Sequence, residues 1–292
     1  MPRLSSLTSR QLTVLGSGIL EKIFYPLSNS GAVDPTNSGW RNTLAPAGYE
    51  YVPGEGIYTN TPITDMSEMF ASNSTFNDPD IVNWDTSSVT DMSYMFKNAY
   101  NFNTSLYLWN THNVTNMSWM FYQAKKFNQP IDTWYMGFVT DTSYMFYGAV
   151  RFNQPLNKWN TWRITNMSNI FNGCVKFDEE LIRWKTDNVT NMSSMFRNCY
   201  NFNQNLNKWN TSKVLDMTNM FFNCEDFNQP LDNWNVSNVW VMIYMFLNSN
   251  YNQPLNNWDV GNVFTMAGMF AGSQYNQPLD NWDVSNVQTM DF

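Results

Sequence analysis

The apolar residues of this chain fall into columns, not into the long runs of a helix or the alternation of a strand. From Ile63 onward one pattern returns about nine times, every 25 residues, and approximates V-T-x-M-S-x-M-F-x-x-A-x-x-F-N-Q-P-L-x-x-W-x-V/T-S-x. Trp84, Trp109, Trp134, Trp159, Trp184, Trp209, Trp234, Trp258 and Trp282 hold one register, in which the first seven are 25 residues apart and the last two steps are 24. A second column runs Phe70, Phe96, Phe121, Phe146, Phe171, Phe196, Phe221, Phe246 and Phe270. A third runs Phe76, Phe102, Phe127, Phe152, Phe177, Phe202, Phe227, Tyr251 and Tyr275. Fixed periods of this length are the signature of a repeat architecture.

Each copy contains the pieces of two short elements. Met-x-x-Met-Phe places apolar residues at i, i+3 and i+4, the spacing of one helix face. A preceding Thr, Asp or Asn supplies an N-cap, as in Thr90-Asp91-Met92. The helix is limited to about two turns, because Phe-Asn-Gln-Pro follows and Pro130, Pro155, Pro230, Pro254 and Pro278 lack an N–H. Leu-x-x-Trp-x-Val/Thr, as in Leu231, Trp234 and Val236, reads as a short strand ending in a β-branched residue. Asn and Ser then mark a turn.

A unit of this size cannot bury its apolar face alone, so copies must stack. The expected fold is an α/β, leucine-rich-repeat-like solenoid of nine to ten 25-residue coils, with a short helix and a short strand per coil and an irregular N-terminal cap. Equivalent residues would stand roughly 4.8 Å apart, giving a rod on the order of 45 Å. Residues 63–292 form the solenoid, and residues 1–62 form a cap or anchor segment. That segment has a loosely helical stretch (Leu7, Leu12, Leu15, Ile19, Leu20, Ile23) and a loop over Gly31 to Tyr58. The sequence stops inside a tenth unit, at Gln288-Thr289-Met290-Asp291-Phe292, so that end is expected to be covered either by something else or by the short tail folding over it.

Composition narrows the function. The chain has 292 residues, is 17% aromatic and carries a formal charge of −8. The aromatic content excludes disorder for most of the length. The acidic balance argues against nucleic acid and against an anionic membrane surface. No apolar run reaches membrane-spanning length, so no membrane insertion is expected. Met1 to Leu20 has Arg3 and Arg10 but no continuous apolar core, which is no secretory signal, and no Cys near the start offers a lipid anchor.

The residues able to do chemistry are better explained by the repeat. Cys174, Cys199 and Cys224 share a column with Ala99, Ala124, Ala149, Ser249 and Ser273, which is a packing column for small residues. His112 is the only histidine, which leaves no His-based triad or relay elsewhere. Asp132, Asp232, Asp259, Asp280 and Asp283 recur near the Trp, but calcium needs several converging oxygens, and Lys158, Lys208 and Asn235 take related places. Asn103, Asn128, Asn153, Asn203, Asn228, Asn252 and Asn276 form a column suited to bonding backbone groups at each turn. No catalytic residue, cofactor or metal is expected. The Met pairs are core. Between them lie the variable positions Tyr94, Trp119, Tyr144, Asn169, Ser194, Asn219, Tyr244 and Gly268. Of these, Tyr94, Trp119, Tyr144 and Tyr244 form the candidate contact surface, since Tyr and Trp are strong interface anchors. Tyr107, Trp162 and Trp240 are further aromatics outside the columns.

The stretches VTDMSYMFKNAYNFN, FNQPLDNWNVSNV and FNQPLNNWDVGNV resemble the BspA-like leucine-rich-repeat surface proteins, which include many mycoplasma surface lipoproteins. The resemblance covers residues 63 to 292. It implies a solenoid, surface exposure and a non-enzymatic role in adhesion or interaction. It carries over no catalytic residue. The bacterial members have a signal peptide and an anchoring Cys, which this chain does not show. Two versions of the function follow: a virion component (fibre, decoration or minor structural subunit) built into an assembly with other subunits or further copies of itself, or a cell-surface adhesin for host protein or glycan.

Overall fold

A computed structural model describes residues 50–51, 58–59 and 63–291. The cap or anchor expected over 1–62 lies outside the described residues, except for the two-residue strands β1 (Glu50–Tyr51) and β2 (Tyr58–Thr59), which pair antiparallel with Tyr51 opposite Tyr58.

The helix and strand expected in each copy are not there, so the α/β description is corrected. The one helix among the described residues is a single 3₁₀ turn, Pro79–Asn83, capped by Asp78, whose Oδ1 accepts the Asp80 N–H at 2.8 Å. The Met segment is instead a run of tight turns. In the copy from Asp91, the N–H groups of Met95, Lys97, Ala99 and Phe102 reach the carbonyls three residues back, at 2.9–3.4 Å. The N–H groups of Met92, Tyr94, Phe96 and Asn98 point the other way, to the carbonyls of Asn116, Ser118, Met120 and Tyr122 in the next copy, at 2.7–3.1 Å. Tyr94 and Asn98 have φ of +58° and +59°. A left-handed residue every fourth position cannot belong to an α-helix. The i, i+3, i+4 apolar spacing is real, but consecutive turns produce it as well as a helix does.

The Leu-x-x-Trp segment is likewise a turn. From Trp84 to Trp282 each Trp N–H returns to the carbonyl three residues before it, at 3.0–3.1 Å. Thr-x-x-Val closes a second turn immediately after, as in Val114 N–H to Thr111 at 3.1 Å.

What joins the copies is a set of registers repeated through the chain. Nine one-residue parallel bridges run from Asp65↔Asp91 to Thr265↔Thr289. Indole N–H groups from Trp109 to Trp282 donate to the carbonyl of the Leu or Ile one copy back, at 2.8–3.3 Å. From Asn103 to Asn252 each amide oxygen of the Asn column accepts the backbone N–H of the equivalent residue in the next copy, as Asn103 to Asn128 at 2.8 Å and Asn153 to Asp178 at 2.9 Å. Buried threonines do similar work: Thr111 Oγ1 donates to the Tyr135 carbonyl at 3.0 Å and accepts the Tyr135 N–H at 2.7 Å.

Two aromatic layers fill the centre. Within a copy the two Phe columns stack, as Phe96 on Phe102 at 3.8 Å. Between copies Phe96 lies 5.6 Å from Phe121 and Trp109 lies 6.5 Å from Trp134, both nearly parallel. Trp109, Trp134, Trp159, Trp184, Trp209, Trp234 and Trp258 are buried, as are Phe96, Phe121, Phe146, Phe171, Phe196, Phe221 and Phe246. Trp84 and Trp282, in the outermost described copies, are partly buried.

The two 24-residue steps have a local explanation. In full-length copies the third-column Phe closes a turn onto the small residue, as Phe202 N–H to Cys199 at 3.1 Å. The shortened copies lose that turn, and the N–H of Tyr251 and Tyr275 instead meets the hydroxyl of Ser249 and Ser273 at 3.4 and 3.3 Å. Serine stands in the Ala/Cys column where an acceptor is needed. The Tyr251 hydroxyl is buried without a hydrogen-bond partner.

Two predictions follow from these contacts. Trp184→Phe keeps the stack but removes one of the two hydrogen bonds that the Leu156 carbonyl accepts, the other coming from the Trp159 N–H, and should cost about 0.5–1.5 kcal/mol in urea denaturation. Trp184→Ala also removes the ring and should cost about 3–5 kcal/mol. In the shortened copy, Ser249→Ala should destabilise by about 1–3 kcal/mol, whereas Tyr251→Phe should be neutral or stabilising because it removes an unpaired hydroxyl. A loss on Tyr251→Phe equal to that of Ser249→Ala would refute this account of the short copies.

Candidate functional site

Since stacking consumes the apolar columns and most backbone groups, the surface open to recognition consists of the outward columns. The position between the two Met residues is left-handed in every full copy, with φ from +54° to +60° at Glu68, Tyr94, Trp119, Tyr144, Asn169, Ser194, Asn219, Tyr244 and Gly268. This conformation costs an ordinary residue roughly 1–2 kcal/mol, which is why Asn and Gly recur there. Tyr94, Trp119 and Tyr144 bear that strain on adjacent rungs.

Their side chains stack on one another. The ring centroids of Tyr94 and Trp119 are 5.5 Å apart, and those of Trp119 and Tyr144 are 4.1 Å apart. Three residues on, Tyr122 and Tyr147 form a second stack at 4.7 Å that leans on the first, with Tyr122 4.6 Å from Trp119. The Lys97 ammonium lies 5.0 Å from the Tyr94 ring centre and 5.1 Å from that of Trp119. All of these rings are half-buried, less exposed than the outward placing expected of them. Their faces are occupied by one another, so the ladder presents ring edges, hydroxyls and an indole. Burial, followed by the neighbouring Tyr147, Tyr144 and Tyr100, raises the pKa of Tyr122 and keeps its hydroxyl protonated. Tyr244 stands apart: its ring lies where a Cβ at Gly268 would be, so glycine there makes room for it.

Alignment of the copies exposes a second feature. Six positions after Trp, Thr90, Thr115, Thr140, Thr165 and Thr190 donate Oγ1 to the carbonyl one copy back at 3.0–3.4 Å. Leu215, Trp240 and Phe264 replace them on the next three rungs and are exposed, Trp240 by 59%. Sequence reasoning singled out Trp240 alone, because only the column shows that its neighbours above and below are apolar as well. Tyr107 and Trp162 are exposed as well, and Arg163 lies between Trp162 (4.7 Å) and Phe138 (5.1 Å).

The other named residues are structural. Cys174, Cys199 and Cys224 are buried free thiols that donate to the carbonyls of Phe146, Phe171 and Phe196 at 2.9–3.0 Å. Burial pushes all three thiols well above the usual range, against a smaller opposing effect of backbone hydrogen bonds. His112 is exposed, bonded to Asn110 Oδ1 at 2.9 Å and stacked on Tyr135 at 4.5 Å. Asp132 is paired with Lys158 at 2.6 Å. Asp259 and Asp283 cap turns by accepting the N–H of Gly261 and Ser285. Among the described residues no three His, Cys, Asp or Glu gather as metal ligands, and no helix is long and apolar enough to cross a membrane.

The profile of a family described as "Mycoplasma protein of unknown function, DUF285" matches residues 57–159, 149–250 and 232–292. The chain belongs to the DUF285 family. The three matches overlap and together take in every copy of the DUF285 repeat found above. No curated protein and no solved structure matches the chain.

The thiols give a direct check on the interior. Native protein should resist alkylation by iodoacetamide up to about pH 9, although free thiols ionise near pH 8.5, and should react at all three sites once denatured. Because folding raises their pKa values, their stabilising effect is complete below about pH 8.5 and declines as pH rises, when the unfolded chain alone loses protons. Rapid labelling of the native protein would show that the column opens.

Proposed function

We propose that this DUF285 chain is a non-enzymatic interaction protein: a leucine-rich-repeat-like solenoid of the BspA-like kind, displayed on a particle or cell surface and working through contacts made by its outer columns. One observation carries the reading. The Trp, Phe, Met, Cys and Asn columns are spent on holding copy to copy, while differences between copies collect at half-buried positions such as Tyr94, Trp119, Tyr144 and Tyr244. Repeat proteins commonly recognise partners through such extended surfaces.

Within this reading the chain is a structural subunit of a surface assembly, as a virion fibre or decoration protein would be, with protein subunits as partners. The aromatic ladder favours a second version, an adhesin for host protein or glycan. Strained, half-buried aromatic residues on three adjacent rungs are a poor choice for solubility alone, and Tyr and Trp are the residues most often found as binding anchors.

Tyr94→Ser, Trp119→Ser and Tyr144→Ser in one chain provide the test, because Ser194 already occupies this column at φ +55°. Thermal stability should be retained. Retention of fluorescently labelled protein on cultured animal cells and on an immobilised glycan panel should fall at least tenfold, a loss of about 1.4 kcal/mol. Equal retention of variant and parent would remove the ladder from the binding surface.

A further inference from the structure

Aligning the copies also sorts the charges. All twelve Lys and Arg residues beyond residue 62 lie between Lys97 and Lys213. Residues 63–96 carry six carboxylates and residues 214–292 carry eight, with no Lys or Arg in either stretch. The acidic net charge therefore conceals a basic middle between acidic flanks.

The sorting is sharpest along the edge formed by the exposed residues on either side of each Trp. At the rungs of Trp258 and Trp282 the positions flanking Trp share one surface, an open groove of about 390 Å³ lined by Asn256, Asn257 and Asp259 of one copy and Asn281 and Asp283 of the next. On the rungs of Trp159, Trp184 and Trp209 the edge bears Lys158, Arg163, Arg183, Lys185, Lys208 and Lys213, all exposed. On the rungs of Trp234, Trp258 and Trp282 it bears Asp232, Asp259, Asp280 and Asp283, also exposed, and no cation. Of the six cations only Lys158 has a carboxylate within 4.0 Å, and the carboxylates beside those three basic rungs are Asp187, held by Asn210, and Glu180, held by Asn157.

We propose that this edge is the interface of an antiparallel homodimer, its two-fold axis passing between the rungs of Trp209 and Trp234. In that arrangement Lys208 and Lys213 face Asp232 of the second copy. Arg183 and Lys185 face Asp259, and Lys158 and Arg163 face Asp280 and Asp283. The two-fold repeats every pairing, as an isologous interface requires, and closes the assembly at two chains. Parallel pairing in register would set like charges on each other. Apart from Lys158, which pairs with Asp132, the two blocks cannot satisfy one another within one chain, because the outer rungs of each are two or three spacings of roughly 4.8 Å from the boundary, beyond a screening length of roughly 8 Å at physiological salt. This interface uses a different edge from the aromatic ladder and goes beyond the reading above.

Sedimentation equilibrium of the full chain decides it. At about 50 mM salt the protein should be a dimer, and the dissociation constant should rise at least tenfold by about 500 mM. Asp232→Lys/Asp259→Lys/Asp280→Lys and Arg183→Glu/Lys185→Glu/Lys208→Glu should each be monomeric and folded, the first melting slightly lower because it loses the Asp259 turn cap. Lysine is accepted at the Asp259 position, since Lys185 occupies the equivalent one. Mixed, the two variants should form a one-to-one heterodimer. A parent that is monomeric at low salt overturns the proposal, as does growth beyond a dimer or charge-reversed variants that still self-associate. The Tyr94/Trp119/Tyr144 variant should remain dimeric, and the charge variants should still bind cells, so failure of this interface and failure of the ladder are separable.

Discussion

The rest of the structure depends on one constraint: a chain of tight turns can satisfy only part of its own backbone. In the Met segment alternate N–H groups close turns and the others have no partner within the copy. Left buried and unpaired, each would cost about 1–3 kcal/mol. The next copy supplies the carbonyls, rung by rung, and in doing so fixes the register of everything attached to the backbone. Aromatic stacking follows from this register, because rings on equivalent residues are delivered face to face at a nearly constant spacing. The Asn amides, Thr hydroxyls and indole N–H groups extend the same principle, each bonding a backbone group of a neighbouring copy. A single copy would have neither a closed backbone nor a core, so stability belongs to the stack.

This constraint also explains where the pattern tolerates change. A shortened copy must replace the bond it loses, and Ser249 and Ser273 appear in the two copies that need them. The first copy departs in the same corner: Asp78 and Pro79 install a 3₁₀ turn where later copies carry Asn-Gln-Pro or a relative of it. Substitutions that look conservative by residue class can therefore differ in consequence. Cys for Ala in the small column keeps a buried side chain and adds a bond to a carbonyl one copy back. Ser for Cys is required only where the turn itself has gone.

The repeat, its register and the identity of the core residues were legible in the sequence because they rest on identity at fixed spacing, which needs no knowledge of backbone conformation. The Trp and Phe columns, the burial of the Met pairs and the bonding role of the Asn column all came from that source. The local elements were not legible. Met92, Met95 and Phe96 satisfy the helical template, and nothing in their side chains reveals that Tyr94 between them is left-handed. The signal was present one level up: Asn and Gly recur in that column and four residues further on, at Asn98, Asn198, Asn223 and Asn248, as left-handed positions demand. Leu-x-x-Trp failed as a strand for a related reason, since the Trp is held by its indole and its turn rather than by a ladder of neighbours. The outer surface was only partly legible. Exposed aromatics were found one by one, but the Leu215–Trp240–Phe264 column and the charge blocks emerge only when copies are compared position by position.

A uniform interior has a consequence for how such a chain acquires function. When every copy is held by the same contacts, an outward residue can change on one rung without disturbing the next, and a surface can be written column by column. The charges show this independence: the position after Trp is Asp in Asp85, Asp259 and Asp283, Lys in Lys185 and Tyr in Tyr135, with the Trp beside it unchanged in each. A random assignment would scatter signs along the axis. A pattern with all twelve cations of the repeats confined between residues 97 and 213 cannot come from copying one unit, because copying would place the same charge on every rung. Nor does the fold require it, since Asn serves at most of these positions. Charge segregated in this way stores unrelieved repulsion within each block, a cost that an isolated chain has no structural reason to bear. An opposing surface with the blocks reversed relieves it, and the antiparallel arrangement of the chain with itself provides such a surface.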